Sequence, residues 1–363
     1  TADAAAAGAA GDDDDGKRAL AREIQLLVAR LALRDAASIS PRDFCNAFKW
    51  DGEPIDVRQQ QDASEFIANL FQQLEGCAVR EDNNNEDEAE GRGAGRVVAA
   101  GPVADAPSLD RSQSVRQAAT AAGRLERAFG GVFEQEMSAL SDPAHHNSRR
   151  QEPFYLIAVE VKDRSRLEEG LEAYIAPEIV EYAWRDGGRR ERTSKRVRIK
   201  GAPRHLLVHL KRFEFDFETL TQRKINTRFE FPLVLDLAPY MTPDATDRDA
   251  DGRCLYELGG VVVHAGTAHS GHYYSFVKDE KTAEWFELND AFVGRFDADT
   301  ELAAECFGGP EPLPRGGAPA NPAAPVPERT RNAFILVYHR RTDAGGDAPA
   351  APADEEDTTR PPP

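Results

Sequence analysis

Apolar side chains from residue 17 to about 33 fall at Leu20, Ile24, Leu27, Val28 and Leu31, the spacing that lines one face of a helix. A second helix is predicted from residue 62 to 76. Asp62 and Glu65 stand as N-cap and N3, Phe66, Ile67, Leu70, Phe71 and Leu74 make the buried stripe, and Gly76 is a stop. After about Arg124 the pattern changes to apolar runs of strand length at 154–161, 206–215, 285–288 and 334–338. Two more, 259–264 and 272–277, form a hairpin around AGTAHSG. Helices first and a strand-rich body afterwards predict an α+β fold.

Four stretches carry no such pattern. Residues 1–17 are Ala, Gly and Asp, with an Asp run at 12–15, and read as a solvated tail. Residues 77–122 are polar, charged and Gly-containing and read as a disordered insertion within a domain spanning 18–341. The Pro/Ala/Gly-rich stretch 308–328 reads as a loop and the acidic, Pro-rich 342–363 as a second tail.

The net charge of −18 argues against nucleic acid or an anionic membrane as a general partner, since both need a basic surface. No apolar run reaches the roughly 20 residues of a membrane helix, and no secretory leader is visible. Thr1 in place of Met fits either processing or a piece of a longer chain. The four cysteines, Cys45, Cys77, Cys254 and Cys306, are far apart and form no CxxC pair, which points to a reducing compartment, the cytoplasm or nucleus.

The segment HAGTAHSGHYYSFVKD, followed closely by EWFELND, carries the chemistry. The hairpin sets His272 at the start of its second strand, and the next strand can bring Asn289 or Asp290 beside the imidazole. A histidine oriented by an amide or carboxylate is the base half of a nucleophilic triad. A lone His beside an Asn is more often structural, so the wider context has to decide.

Five segments supply that context: VRQQQDASEF (57–66), EPFYLIAVEV (152–161), HLLVHLKRFEFDFETLTQRKINTRFEFPLVLDL (205–237), YELGGVVVHAGTAHSGHYYSFVKD (256–279) and NAFILVYHR (332–340). In this order they resemble the ubiquitin-specific protease family, over roughly 18–76 and 124–341. The resemblance implies a papain-like cysteine protease fold of fingers, palm and thumb. It implies hydrolysis of the bond after the C-terminal Gly-Gly of ubiquitin through a thiol-acyl intermediate, with ubiquitin or ubiquitinated proteins as partners and no cofactor. His272 matches the general base and Asn289 its orienter, with Asp290 as a helper. Gln60, Asp62, Phe213, His264, His269 and Tyr273 match positions lining the channel for the ubiquitin tail. Asp62 is equally well explained as a helix cap, Phe213 as core, and the two histidines as loop residues.

Three departures qualify the match. The family's Gly-Asn-Thr-Cys box, which carries the nucleophile upstream of the QQDAxEF helix, does not occur in these 363 residues. Cys45, in SPRDFCNAF, follows no Asn-Thr and matches a non-catalytic segment. The expectation is therefore a deubiquitinase-family domain whose nucleophile lies upstream, leaving the thumb incomplete; the alternative is an inactive ubiquitin-binding module, or a scaffold. Many relatives hold the fingers by two CxxC pairs on zinc, whereas SALSDPAHHNS (138–148) and EYAWRDGGRRERTSK (181–195) contain no Cys. Adjacent His145 and His146 lack two further ligands, so no metal is expected, and the basic stretch 185–200 reads as a solvated hairpin. Thr227 stands where the family often has Asp.

Overall fold

The computed structural model describes residues 2–33, 38–50, 52–56, 58, 61–76, 121–184, 188–311 and 328–341. Gln60, Cys77, residues 77–120 of the predicted 77–122 insertion, most of the 308–328 loop and the 342–363 tail lie outside the described residues.

The N-terminal part is helical. α1 (Ala2–Leu33) runs through the stretch 1–17 read as a tail: Ala has the highest helix propensity and outweighs the Asp run. Leu20 is fully buried, whereas Val28, Leu31 and Leu33 stay exposed at the far end. A short helix, α2 (Arg42–Ala47), is followed by a two-strand ladder, β1 (Lys49–Trp50) with β2 (Glu53–Pro54). α3 (Ala63–Gly76) starts and stops where its cap and glycine predict. The Asp62 carboxylate accepts from the backbone N–H of Ser64 at 2.7 Å and of Glu65 at 3.2 Å. The stripe of α3 is aromatic at both ends: Phe66 meets Phe48 at 5.0 Å, and Phe71 meets Phe129 and Tyr155 at 5.3 Å. Phe129 ends α4 (Ala121–Phe129) and reaches His205, so the helices dock onto the strand-rich body through a continuous run of rings.

That body holds two main sheets. One is antiparallel, in the order β4 (Asn147–Phe154), β3 (Gly131–Ala139), β7 (Glu191–Gly201), β6 (Glu178–Tyr182). The basic stretch read as a solvated hairpin thus supplies an inner strand, and the stretches without cysteine are joined by backbone ladders. At the base of this sheet Phe133 stacks on Phe154 at 3.9 Å. At its tip His146 stacks on Trp184 at 5.6 Å.

The second sheet builds the site. It follows β15 (Phe292–Phe296), β14 (Trp285–Asn289), β13 (Gly271–Lys278), β12 (Leu255–Gly266), β16 (Arg331–Arg340), β8 (His205–Lys211) and β5 (Leu156–Glu160), with β11 (Val234–Asp236) on the start of β12. Every pairing is antiparallel except β5 with β8. In β16, Asn332 to Leu336 are all buried, as a strand covered on both faces requires. α5 (Leu167–Ile175) packs on β5 and β7, and α6 (Ala298–Cys306) on β16.

Two expected strands are each divided. The run at 154–161 breaks at Tyr155, where the chain passes from one sheet to the other. The run at 206–215 breaks at Arg212, between β8 and β9 (Phe213–Asp216). Arg212 turns fully inside and donates to the carbonyls of Ala333 (2.8 Å), Ile225 (2.9 Å) and Thr227 (3.2 Å). Burial pulls its pKa down to about 9, which leaves it a cation at neutral pH. β9 continues into β10 (Thr221–Lys224) as a separate hairpin with exposed Phe215, Phe217 and Leu220.

Candidate active site

The site grows from the end of the β12–β13 hairpin. In this ladder Ala265 faces His272 and His264 faces Tyr273. The turn is tied by Thr267, whose N–H donates to the Ser270 carbonyl at 2.8 Å. Thr267 Oγ1 also accepts from the N–H groups of His269 and Ser270, each at 3.3 Å. From outside, the Lys224 ammonium donates to the carbonyls of Thr330 (2.6 Å), His264 (2.8 Å) and Gly266 (3.4 Å). It thereby pins the hairpin end to the start of β16. Burial and the nearby Arg212 pull the Lys224 pKa down to about 7, against three carbonyl oxygens that favour the cation.

His272, the second residue of β13, is half exposed. Its partner lies on the next strand, where the Ser275–Leu288 pairing sets the register and Asn289 follows. The Asn289 Oδ1 lies 2.8 Å from His272 Nε2. Sequence reasoning misses the residue that fixes this contact. The Glu287 carboxylate, an acceptor only, takes Asn289 Nδ2 at 3.1 Å, which turns the amide oxygen toward the imidazole. Nε2 must then be the donor, and Nδ1 keeps the lone pair that accepts a proton. The signal for Glu287 is present in the pattern: two residues apart on one strand, it and Asn289 share a face.

Asp290 begins the two-residue turn between Asn289 and Phe292, at φ 52°. Its carboxylate oxygen lies 3.7 Å from His272 Nε2 and its side chain is mostly exposed. That is an ion-pair distance, too long for a hydrogen bond.

The predicted channel residues divide. His264, Phe213 and Tyr273 come together: the His264 ring meets Phe213 at 5.1 Å edge-on and Tyr273 at 4.8 Å, with Phe334 beneath all three. His264 is only 2% exposed, so it backs the wall that Phe213 and Tyr273 present. Burial lowers its pKa to about 4, and Nδ1 has no hydrogen-bond partner among the described residues. Asp62 lies close by: its charge acts on His264, His209 and Tyr273 while its Oδ1 caps α3. The Tyr273 hydroxyl, pushed up by burial, accepts from the Ala63 N–H and so joins the sheet to the start of α3. His269 stands exposed on the turn. Gln60 is outside the described residues.

The described cysteines do not resemble a nucleophile. Cys254 and Cys306 are buried, and burial pushes the Cys254 thiol up to about 11 and raises that of Cys306 as well. Cys45 is half-buried on α2. Among the described residues no hydrogen bond or ion pair links His272 to a cysteine. Among them, too, no group of three or more His, Cys, Asp or Glu stands close enough to hold a metal, and no helix is long and apolar enough to cross a membrane.

Residues 4–338 match the family model described as "Ubiquitin carboxyl-terminal hydrolase". Among curated proteins, the chain is 28% identical over 343 residues to mouse (Mus musculus) "Ubiquitin carboxyl-terminal hydrolase 34", covering 88% of this chain and 8% of that protein. It is 28% identical over 363 residues to human (Homo sapiens) "Ubiquitin carboxyl-terminal hydrolase 24", covering 92% of this chain and 12% of that protein. The chain thus spans about a tenth of the length of these relatives. Among solved structures, the SAGA Ubp8/Sgf11/Sus1/Sgf73 DUB module bound to ubiquitin aldehyde aligns with a TM-score of 0.51 at 21% identity. That match covers 78% of this chain and 50% of the other, and it agrees with the α+β, papain-like architecture of fingers, palm and thumb.

Proposed function

Since the chain belongs to the ubiquitin carboxyl-terminal hydrolase family, we propose that it forms the base and tail-binding part of a cysteine-type deubiquitinase. The reaction is hydrolysis of the bond after the C-terminal glycine of ubiquitin. The observation that carries this reading is the oriented imidazole: Asn289, held by Glu287, takes Nε2 of His272 and leaves Nδ1 as the proton acceptor.

The nucleophile, a cysteine thiol, comes from sequence N-terminal to Thr1 in the full protein. It gives its proton to His272 Nδ1 as its sulfur attacks the glycine carbonyl carbon. The imidazolium then protonates the departing amine as the C–N bond breaks, leaving a thioester. Water attacks that thioester, His272 takes the water proton, and the free carboxylate leaves with the thiol restored. Asn289 and Asp290 stabilise the imidazolium of each half-reaction, by a hydrogen bond and by charge. Phe213 and Tyr273 wall a slot that admits glycine and excludes larger side chains. The Asp62 carboxylate holds an arginine of the ubiquitin tail. Thiol chemistry of this kind belongs in a reducing compartment, the cytoplasm or nucleus.

General-base assistance alone contributes roughly 10²–10⁴-fold, far below the total acceleration of an enzyme. Residues 1–363 without the upstream thiol should therefore bind ubiquitin while leaving hydrolysis near background. A ubiquitin derivative with a C-terminal electrophile tests this. The protein carrying its upstream sequence should be labelled at a cysteine there, and this chain should not be. Binding of ubiquitin without labelling of the longer protein would replace the hydrolase reading by a binding module. Labelling of this chain at Cys45 would overturn the assignment of the nucleophile.

A further inference from the structure

A cleft of about 650 Å³ lies away from His272, where β12 begins and β16 ends. Arg340 pairs with Tyr256 there, whereas Arg331 pairs with Ala265 beside the catalytic hairpin. Nine residue steps along a strand separate these two places by roughly 30 Å.

Its lining reverses the charge of the chain. Arg127, Arg204, Arg248, Arg253, Arg340 and Arg341 face the cleft with only Asp247 and Asp249 against them, in a protein of net charge −18. Both acids are already engaged. Asp247 accepts from the Ala202 N–H at 3.0 Å and from Arg340 at 2.8 Å. Asp249 accepts from the N–H groups of its own loop, Asp251 at 3.0 Å and Arg253 at 2.7 Å.

The arginines are anchored but not used up. Arg248 donates through Nη2 to the carbonyls of Ala238 (3.1 Å) and Thr242 (3.2 Å), while its Nε is buried with no hydrogen-bond partner. Arg253 bonds Asp251 at 3.0 Å, and Arg127 bonds the Gly123 carbonyl through Nε at 3.2 Å. Among the described residues, the exposed Arg204 and Arg341 make no ion pair. A guanidinium has five donors, so each anchored side chain keeps several for a ligand.

We propose that this cleft binds a compact, non-aromatic polyphosphate. Converging guanidinium groups match phosphate oxygens in bidentate fashion, and the volume falls in the range of small-molecule sites. The apolar lining consists of Ala202, Cys254 and Leu255. Among the described residues of that lining there is no aromatic ring for a nucleobase to stack on, which separates this ligand class from nucleotides. A polyol phosphate in solution and a phosphorylated lipid headgroup share the required chemistry.

Isothermal titration of the full chain with inositol hexakisphosphate should give saturable binding that weakens as salt rises. The double variant Arg204→Glu, Arg341→Glu should lose at least tenfold in affinity. Both positions are exposed, and thermal unfolding without ligand should be unchanged. Co-sedimentation with phosphatidylcholine vesicles containing a phosphatidylinositol bisphosphate identifies the source: vesicle binding that the double variant loses assigns the headgroup. Failure to bind either probe overturns the proposal, and so does binding that the double variant leaves intact. Tighter binding of ATP than of inorganic tripolyphosphate would overturn the non-aromatic assignment.

Discussion

Asn289 shows His272 its side-chain oxygen rather than its nitrogen because Glu287 holds the nitrogen at 3.1 Å. The imidazole is therefore set in one tautomer by two residues of a single strand. In the longer, thiol-bearing protein, Asn289→Ala should lower kcat by roughly 10²-fold with little change in KM, since general-base assistance is worth about that much. Glu287→Gln keeps the shape but lets the amide turn, because glutamine both donates and accepts. It should lower kcat by about tenfold, a fraction of the general-base contribution. Ubiquitin-substrate kinetics on the two variants check the order; a larger loss for Glu287→Gln would sink the orienting role.

Gly271 is required for a different reason. A Cβ built there falls 2.2 Å from His264 Nε2 and 2.5 Å from the Ala265 carbonyl oxygen, and neither can withdraw. Gly271→Ala should destabilise the protein by about 3 kcal/mol, the upper range for overpacking, and move His272, the next residue. Gly252 is the control: its φ is 77° and a Cβ there meets nothing within 4 Å. Gly252→Ala carries only the conformational cost, about 1–2 kcal/mol. Urea unfolding of both variants separates contact from strain, and equal losses would refute the steric account.

Much of this site is legible in the sequence, and what is hidden is hidden for physical reasons. The cap at Asp62, the stripe of α3 and the hairpin around AGTAHSG are local patterns with short periods, and each appears where the spacing puts it. The contact of His272 with Asn289 needs only one strand pairing more. The basic residues cannot be placed that way. Arg212 and Lys224 look like surface charges, yet each reaches carbonyls about a hundred residues away in sequence that only the closed sheet brings near. β4 is invisible to pattern because it is an edge strand of polar residues, exposed from Asn147 to Pro153, with no apolar period. α1 begins well before its apolar stripe because alanine propensity, which leaves no periodic trace, extends the helix through the acidic run.

Lys224 closes the hairpin end by giving its ammonium protons to carbonyls of His264, Gly266 and Thr330. Lys224→Met keeps the length of the side chain and removes every donor. Part-buried carbonyls left unsatisfied cost about 1–3 kcal/mol, so stability should fall by that amount. Amide exchange should accelerate first at the end of β12 and the start of β16, which the clamp joins. Uniform acceleration over both sheets would show that Lys224 supports the fold generally, not this end of the hairpin.

Acid should weaken the fold before most carboxylates titrate. Burial holds His264 near a pKa of about 4 and lowers those of His205, His209 and His339 from the usual 6.5. These histidines are neutral in the native chain, and the unfolded chain binds their protons first. Stability is thus fully present above about pH 6.5 and falls as pH drops from there toward each folded-state value. His264 alone, held at about 4 against the usual 6.5, should account for a loss on the order of 3 kcal/mol by pH 4. His205 and His339 add to it, because their Nδ1 atoms share one hydrogen bond at 2.6 Å that a second proton would break. Urea midpoints between pH 7 and pH 5 should decline, and His264→Phe should flatten part of the decline by removing the titrating ring. Stability that rises on acidification through this window would contradict the neutral assignment of the buried histidines.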